Sequence, residues 1–189
     1  MTSRAEYRLI LRQDNADIRL TKYGYKVGLI SQDRMDRLNK KIELINEEIE
    51  RVKSVNIGTG EDIQKLLVEN GSTELTTGVT LAELIKRPEL SYDVLAPIDR
   101  HRPQLPWDVC EQVNINLKYE GYIDRQLGQV EHFKKLEKKL IPDTLDYYQI
   151  SGLRKEAMQK LDKFKPRSIG QASRISGVSP ADISVLLVY

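Results

Sequence analysis

Cysteine occurs once in the 189 residues, at Cys110. That excludes a disulfide framework within the chain and any zinc site built on several thiolates, and it suits a reducing cytoplasm. Histidine is almost as scarce. His101 and His132 stand far apart and neither has metal-ligand spacing, so no zinc or iron centre is expected. No apolar run approaches the about 20 residues of a membrane helix, and the opening Met1-Thr-Ser-Arg-Ala-Glu-Tyr-Arg8 has no apolar core of a signal peptide. Nucleotide and nucleophile signatures are missing as well. Gly58-Thr59-Gly60 lacks a third glycine and a convincing preceding strand, no serine elbow occurs, and Cys110 has no evident histidine partner. No catalytic, cofactor-binding or metal-binding residue is therefore expected in this chain.

What remains is charge and helical periodicity. Apolar residues make up 40% and charged residues 31%, in a length that fits one large domain or two small ones, so a charge-rich helical protein is expected. The net charge of +2 conceals an asymmetry. Ten Lys/Arg face five Asp/Glu between Lys134 and Arg167, leaving that stretch at +5 and the rest at −3. Such a region suits a phosphate backbone or an acidic protein surface.

Ser3 and Glu6 read as a capping box for a helix through about Gln13, on which Arg4, Arg8 and Arg12 recur every fourth residue. Three guanidinium groups on one face require neutralisation, either by Glu6, Asp14 or Asp17 or by an external phosphate. Asp14 to Asp17 reads as a turn, and Ile18 to Val27 as a helix ended by Gly28. Ser31 opens the clearest helix, to about Ser54, whose Met35, Leu38, Ile42, Ile45, Ile49 and Val52 form a short heptad seam. Glu43, Glu47, Glu48, Lys40, Lys41 and Arg51 are expected to stay in water.

Between Asn56 and Pro106 the elements shorten, which suggests a peripheral subdomain. Glu61 to Asn70 reads as a helix stopped by Gly71, and Thr80 and Glu83 as a capping box for a helix that ends before Pro88. Pro97, Pro103 and Pro106 then mark the expected boundary between residues 1–106 and 107–189. From Asp108 to about Leu140 a long helical pattern follows, roughly 50 Å if continuous. Gly121 interrupts it, which suggests close approach of another backbone. Lys118, Tyr119, Tyr122 and Arg125 around that glycine form either a docking site or the margin of a core. Ile150 to Leu161, with a turn at Gly152, resembles weakly one element of a helix-hairpin-helix.

The end of the chain reads as two short helices at a glycine-governed corner. Ile169, Ala172 and Ile175 recur at helical spacing, and Gly177 follows where a left-handed residue closes a helix. Ser179-Pro180-Ala181-Asp182 restarts one, with Ser179 as cap and Asp182 completing the box. Gln171 and Arg174 are left on the first helix, facing either solvent or a partner. The apolar ending Val185 to Tyr189 lacks polar closure, so truncation of a longer chain is expected there.

Thr2-Ser-Arg-Ala-Glu-Tyr-Arg8, Arg12 to Asp17 with Arg19-Leu-Thr21, Lys118-Tyr-Glu-Gly-Tyr-Ile123, and the Ser168 to Leu187 segment resemble, in the same order, the C-terminal region of the GidA/MnmG family. The resemblance implies an all-α, multi-helix domain, with one long heptad-like helix and a small C-terminal helical bundle with a helix-turn-helix-like corner. It implies a fragment whose parent is an FAD-dependent enzyme modifying the wobble uridine of tRNA, with NADH and methylenetetrahydrofolate as co-reactants. The parent's partners would be tRNA, a GTPase of the MnmE/TrmE type and a second copy of itself. Carried over by position, Arg4, Arg8, Arg12, Lys118, Tyr119, Tyr122, Arg125, Gln171 and Arg174 would bind tRNA or the partner protein, and Gly121, Gly152 and Gly177 would shape turns. The alternative is a helical domain that stabilises the parent dimer and touches neither partner.

Overall fold

The computed structural model describes residues 7–189. It contains α1 (Ala16–Lys26), α2 (Gln32–Ser54), β1 (Asn56–Ile57), α3 (Glu61–Glu69), β2 (Val79–Thr80), α4 (Leu81–Ile85), α5 (Trp107–Lys138), α6 (Lys155–Phe164), α7 (Ile169–Ser173) and α8 (Pro180–Val188). The all-α expectation holds. The only sheet among the described residues is a two-stranded antiparallel pair, with Asn56 opposite Thr80 and Ile57 opposite Val79.

Residues divide into two compact units, Met1–Asp124 and Arg125–Tyr189. The division falls inside α5 and not at Pro106, for a reason visible in the core. Val109, Val113 and Leu117, on the first turns of α5, are buried with α2 and α4, so the prolines precede a helix that still belongs to the first unit.

In the first unit the seam of α2 buries Leu38, Ile45 and Val52. The stretch read as peripheral is central instead. Ten of the fifteen buried apolar residues of this core lie between Ile57 and Leu95, so the short elements fold back onto α2 and supply most of its cover. They are locally well specified. Thr80 Oγ1 accepts from Glu83 N at 3.2 Å while Glu83 Oε2 accepts from Thr80 N at 2.8 Å, a complete capping box.

Two charge expectations for α2 are corrected. Glu48 is buried, and its carboxylate accepts from Tyr92 Oη at 2.8 Å and from Arg51 Nη2 at 2.7 Å, while Arg51 reaches Asp99 on its other side. Lys41 is mostly covered and holds Asp17 at 2.8 Å and Asp108 at 2.9 Å. Burying an unpaired charge is costly, and here every charged atom has a partner.

The N-terminal helix is also corrected where it can be seen. Ser3, Arg4 and Glu6 lie outside the described residues, but residues 7–13 form turns and bends. Tyr7 has φ 54°, a left-handed conformation that a helix does not tolerate, and Ile10 N and Leu11 N both donate to its carbonyl. Arg8 and Arg12 therefore do not share a helical face.

The second unit packs Leu136, Ile141, Tyr147, Ile150, Leu153, Ala157, Leu161, Ile169, Ala172, Ile183 and Leu186 around α6, α7 and α8. Leu140 and Ser168 form an isolated antiparallel bridge, flanked by Ile141 N to Arg167 O and Ile169 N to Lys139 O, both 2.9 Å. Gly152 and Gly177 have φ of +94° and +98°, so both take the left-handed turns the sequence asks of them. Gly121 does not. It sits mid-helix, and a Cβ there would meet nothing within 4 Å, so no backbone approaches it. No helix among the described residues is long and apolar enough to cross a membrane.

Candidate functional site

The C-terminal corner is built as its capping signals require. Ser168 Oγ accepts from Gln171 N at 3.1 Å to start α7, and Ser179 and Asp182 form a full capping box at the start of α8. α7 is a single turn and ends before Ile175. What locks the corner is a residue the sequence did not single out. Arg154, immediately before α6, places Nε and Nη2 on the Asp182 carboxylate, with Nη2 at 2.6 Å, and donates from Nη2 to the Gly177 carbonyl at 3.0 Å. Asp182 is 1% exposed. The Arg154 bonds hold its carboxyl well below the usual carboxylate range; burial opposes this, and Ser179 adds to the downward shift.

The positions expected to contact a partner mostly have work inside the fold. Arg12 Nε bonds both Asp14 oxygens at 3.1 Å and its Nη1 reaches Leu9 O at 2.5 Å, so of the two ways of neutralising that guanidinium the internal one is used. Lys118 Nζ donates to the carbonyls of Arg87 and Pro88 at 3.1 and 3.0 Å, closing the chain after α4. Gln171 Oε1 accepts from Arg167 N at 2.8 Å. Arg174 pairs with Glu137 of α5, and that bond, above all, lowers the Glu137 pKa. Gly170 allows the same packing, because a Cβ there would lie 2.5 Å from Glu137 Cδ. Tyr119, Tyr122 and Arg125 remain exposed on α5, in the stretch where neither core covers the helix. Arg8 is engaged elsewhere in the fold, and Arg4 is not described.

With those side chains committed, four cations of the second unit are paired, and of the exposed unpaired ones, which include Arg125, Lys155 and Lys163, four lie at the end of α5 and its adjoining bridge. Twelve Lys/Arg against seven Asp/Glu give the unit +5. Lys134, Arg154, Lys165 and Arg174 are in ion pairs. Lys135, Lys138, Lys139 and Arg167 are exposed and form no ion pair among the described residues. Lys135 and Lys138 occupy the last turn of α5, where they offset the negative end of a long helix. Lys139 and Arg167 are diagonal neighbours across the Leu140–Ser168 bridge. The last turn of one helix and one short bridge thus present four exposed cations without an ion pair among the described residues. This arrangement suits phosphates spaced along a backbone better than it suits a single small anion.

Gly58-Thr59-Gly60 does link β1 to α3, but Glu61 and Asp62 put two carboxylates at the helix start where a pyrophosphate would need positive potential. No cluster of three His, Cys, Asp or Glu side chains suited to a metal occurs among the described residues. Burial, chiefly, pushes the Cys110 thiol up and away from the thiolate.

Comparison with known proteins gives this geometry its context. Residues 32–127 match the family model described as the tRNA modifying enzyme MnmG/GidA C-terminal helical domain, and residues 129–189 match the C-terminal helical bundle of the same enzyme. The chain belongs to the MnmG/GidA family. It is 62% identical over 189 residues to the tRNA uridine 5-carboxymethylaminomethyl modification enzyme MnmG of Caldicellulosiruptor saccharolyticus, and 61% identical to that of Lachnoclostridium phytofermentans. In both cases all of the chain is matched but only 30% of the relative, so it spans less than a third of the length of these MnmG proteins. Among solved structures, Aquifex aeolicus GidA in its form II crystal aligns over the whole chain and 29% of its own, with a TM-score of 0.69 and 39% identity. The two family matches meet at residues 127–129, close to the Asp124–Arg125 division of the MnmG/GidA C-terminal region.

Proposed function

We propose that this chain is the tRNA- and partner-binding C-terminal region of an FAD-dependent enzyme that modifies the wobble uridine of tRNA at C5, and that its second unit supplies phosphate contacts. The relatives named above are tRNA uridine modification enzymes, and the family reading extends that activity to the parent protein. FAD, NADH and methylenetetrahydrofolate chemistry is assigned to the remainder of the parent, since the Gly58-Thr59-Gly60 turn leads into two carboxylates. The parent would work in the cytoplasm with a GTPase of the MnmE/TrmE type and as a homodimer.

The observation that carries the RNA role is the group of exposed cations without an ion pair at the end of α5 and the adjoining bridge, Lys135, Lys138, Lys139 and Arg167, on a unit with charge +5. Gln171 and Arg174, first read as contact residues, act here as braces that fix α7 against the end of α5 and hold the bridge carrying Lys139 and Arg167. Fluorescence anisotropy with bacterial tRNA tests the reading. The chain is expected to bind at low salt, and Lys139→Glu with Arg167→Glu to weaken that binding while leaving the circular dichroism unchanged. Equal affinity of the double variant would remove RNA from this surface. Failure to bind either tRNA or the GTPase would favour the purely structural role in the parent dimer.

A further inference from the structure

Helix α1 has two faces. Ile18 packs against the first core and Thr21 is partly covered, whereas Leu20, Tyr23 and Val27 recur at i, i+3 and i+7 on the opposite side. These three are 56%, 63% and 69% exposed, and α1 has no buried residue. Leu29 continues the apolar surface just past the Gly28 turn. A helix covered on one side by its own domain and apolar on the other is shaped to lie between two bodies.

Two further observations say what the second body is. The match to the C-terminal helical domain begins at residue 32, so α1 lies outside that domain although it packs on it. The relatives are more than three times as long as this chain, and the matched domains are named C-terminal, so a long part of the relatives' sequences precedes these domains.

We propose that the Leu20–Tyr23–Val27 face of α1 is the seat of the preceding part of the full-length polypeptide, joining it to the helical region. The proposal rests on family membership and not on RNA binding, so loss of tRNA affinity leaves it untouched. Hydroxyl-radical footprinting by mass spectrometry tests it on the full-length protein and on the 189-residue chain. Oxidation of Tyr23 and Leu20 is expected to be several-fold slower in the full-length protein, at every protein concentration. Equal oxidation in both would overturn the proposal. Protection that appears in the 189-residue chain as its concentration rises would also overturn it, by assigning the face to a second copy. A paired variant supplies an independent check. Leu20→Asp with Val27→Asp should leave the melting of the 189-residue chain unchanged and lower that of the full-length protein. Unchanged melting of the full-length variant would contradict the seat.

Discussion

Replacing Asp182 with asparagine keeps the shape of the side chain and removes the charge on which the C-terminal corner closes. The carboxylate accepts from Ser179 N at 2.8 Å, Ser179 Oγ at 2.7 Å and Arg154 Nη2 at 2.6 Å, and Arg154 Nε adds contacts to both oxygens. An amide can satisfy only part of that set, because its nitrogen would face donors. Hydrogen bonds to a charged group are worth about 1.5–3 kcal/mol and a helix cap about 1 kcal/mol. Arg154 is half-exposed, and water can take up its guanidinium, so the loss stays below that of a fully buried ion pair. About 2–3 kcal/mol is the expected cost, or roughly 10–20 °C in the midpoint of a unit this small. Residue-resolved amide exchange of α6 and α8 in the 189-residue chain, with thermal melting, measures it. The pH dependence gives a second signature. Folding lowers the Asp182 pKa from its ordinary 3.8, so its contribution is full above that pH and is lost as acid protonates the native carboxylate. The gap between wild type and Asp182→Asn should therefore be widest at pH 7 and narrow steadily below pH 4. A variant that melts with the wild type at pH 7, or a gap unchanged at low pH, would refute the reasoning.

Two glycines should respond in opposite directions to alanine. Gly177→Ala forces a side chain into φ +98° and should destabilise the second unit by about 1–2 kcal/mol, whereas Gly121→Ala fills open space in a helix and should stabilise by about 1 kcal/mol. Thermal melting of the two variants checks both signs. Tyr92→Phe removes one of the bonds that hold the buried Glu48 and should cost about 2 kcal/mol in denaturant unfolding of the first unit. Arg174→Gln should loosen α7 from the end of α5, seen as faster amide exchange at Ile169 and Ala172, and should weaken tRNA binding less than Lys139→Glu with Arg167→Glu does.

Much of the fold can be read from local signals. The capping boxes at Thr80 and Ser179, the left-handed Gly152 and Gly177, and the α2 seam depend on residues three or four apart, where sequence spacing and geometry are nearly the same thing. Errors cluster where long-range packing decides. Glu48 looks like a solvent-facing helix residue until Tyr92, forty-four positions on, covers it. Gly121 looks like a site of close approach, yet nothing lies beside it. The site follows the same division. The basic stretch from Lys134 to Arg167 is legible as composition, but which of its arginines are already neutralised depends on Asp182, brought beside Arg154 only by the fold, as Glu137 is brought beside Arg174. Arg154 carries no sequence signal of its own, since its partner is twenty-eight residues away.

The most direct test of the RNA-binding role is the salt dependence of tRNA binding to the 189-residue chain. Each phosphate contact releases condensed counterions, so log K should fall linearly with log[salt], with a slope of about −0.7 to −0.9 per contact. A steep negative slope is expected for the wild type, made shallower by roughly 1.4–1.8 in Lys139→Glu with Arg167→Glu, because two contacts are gone. A slope near zero, or the same slope in both proteins, would contradict that role.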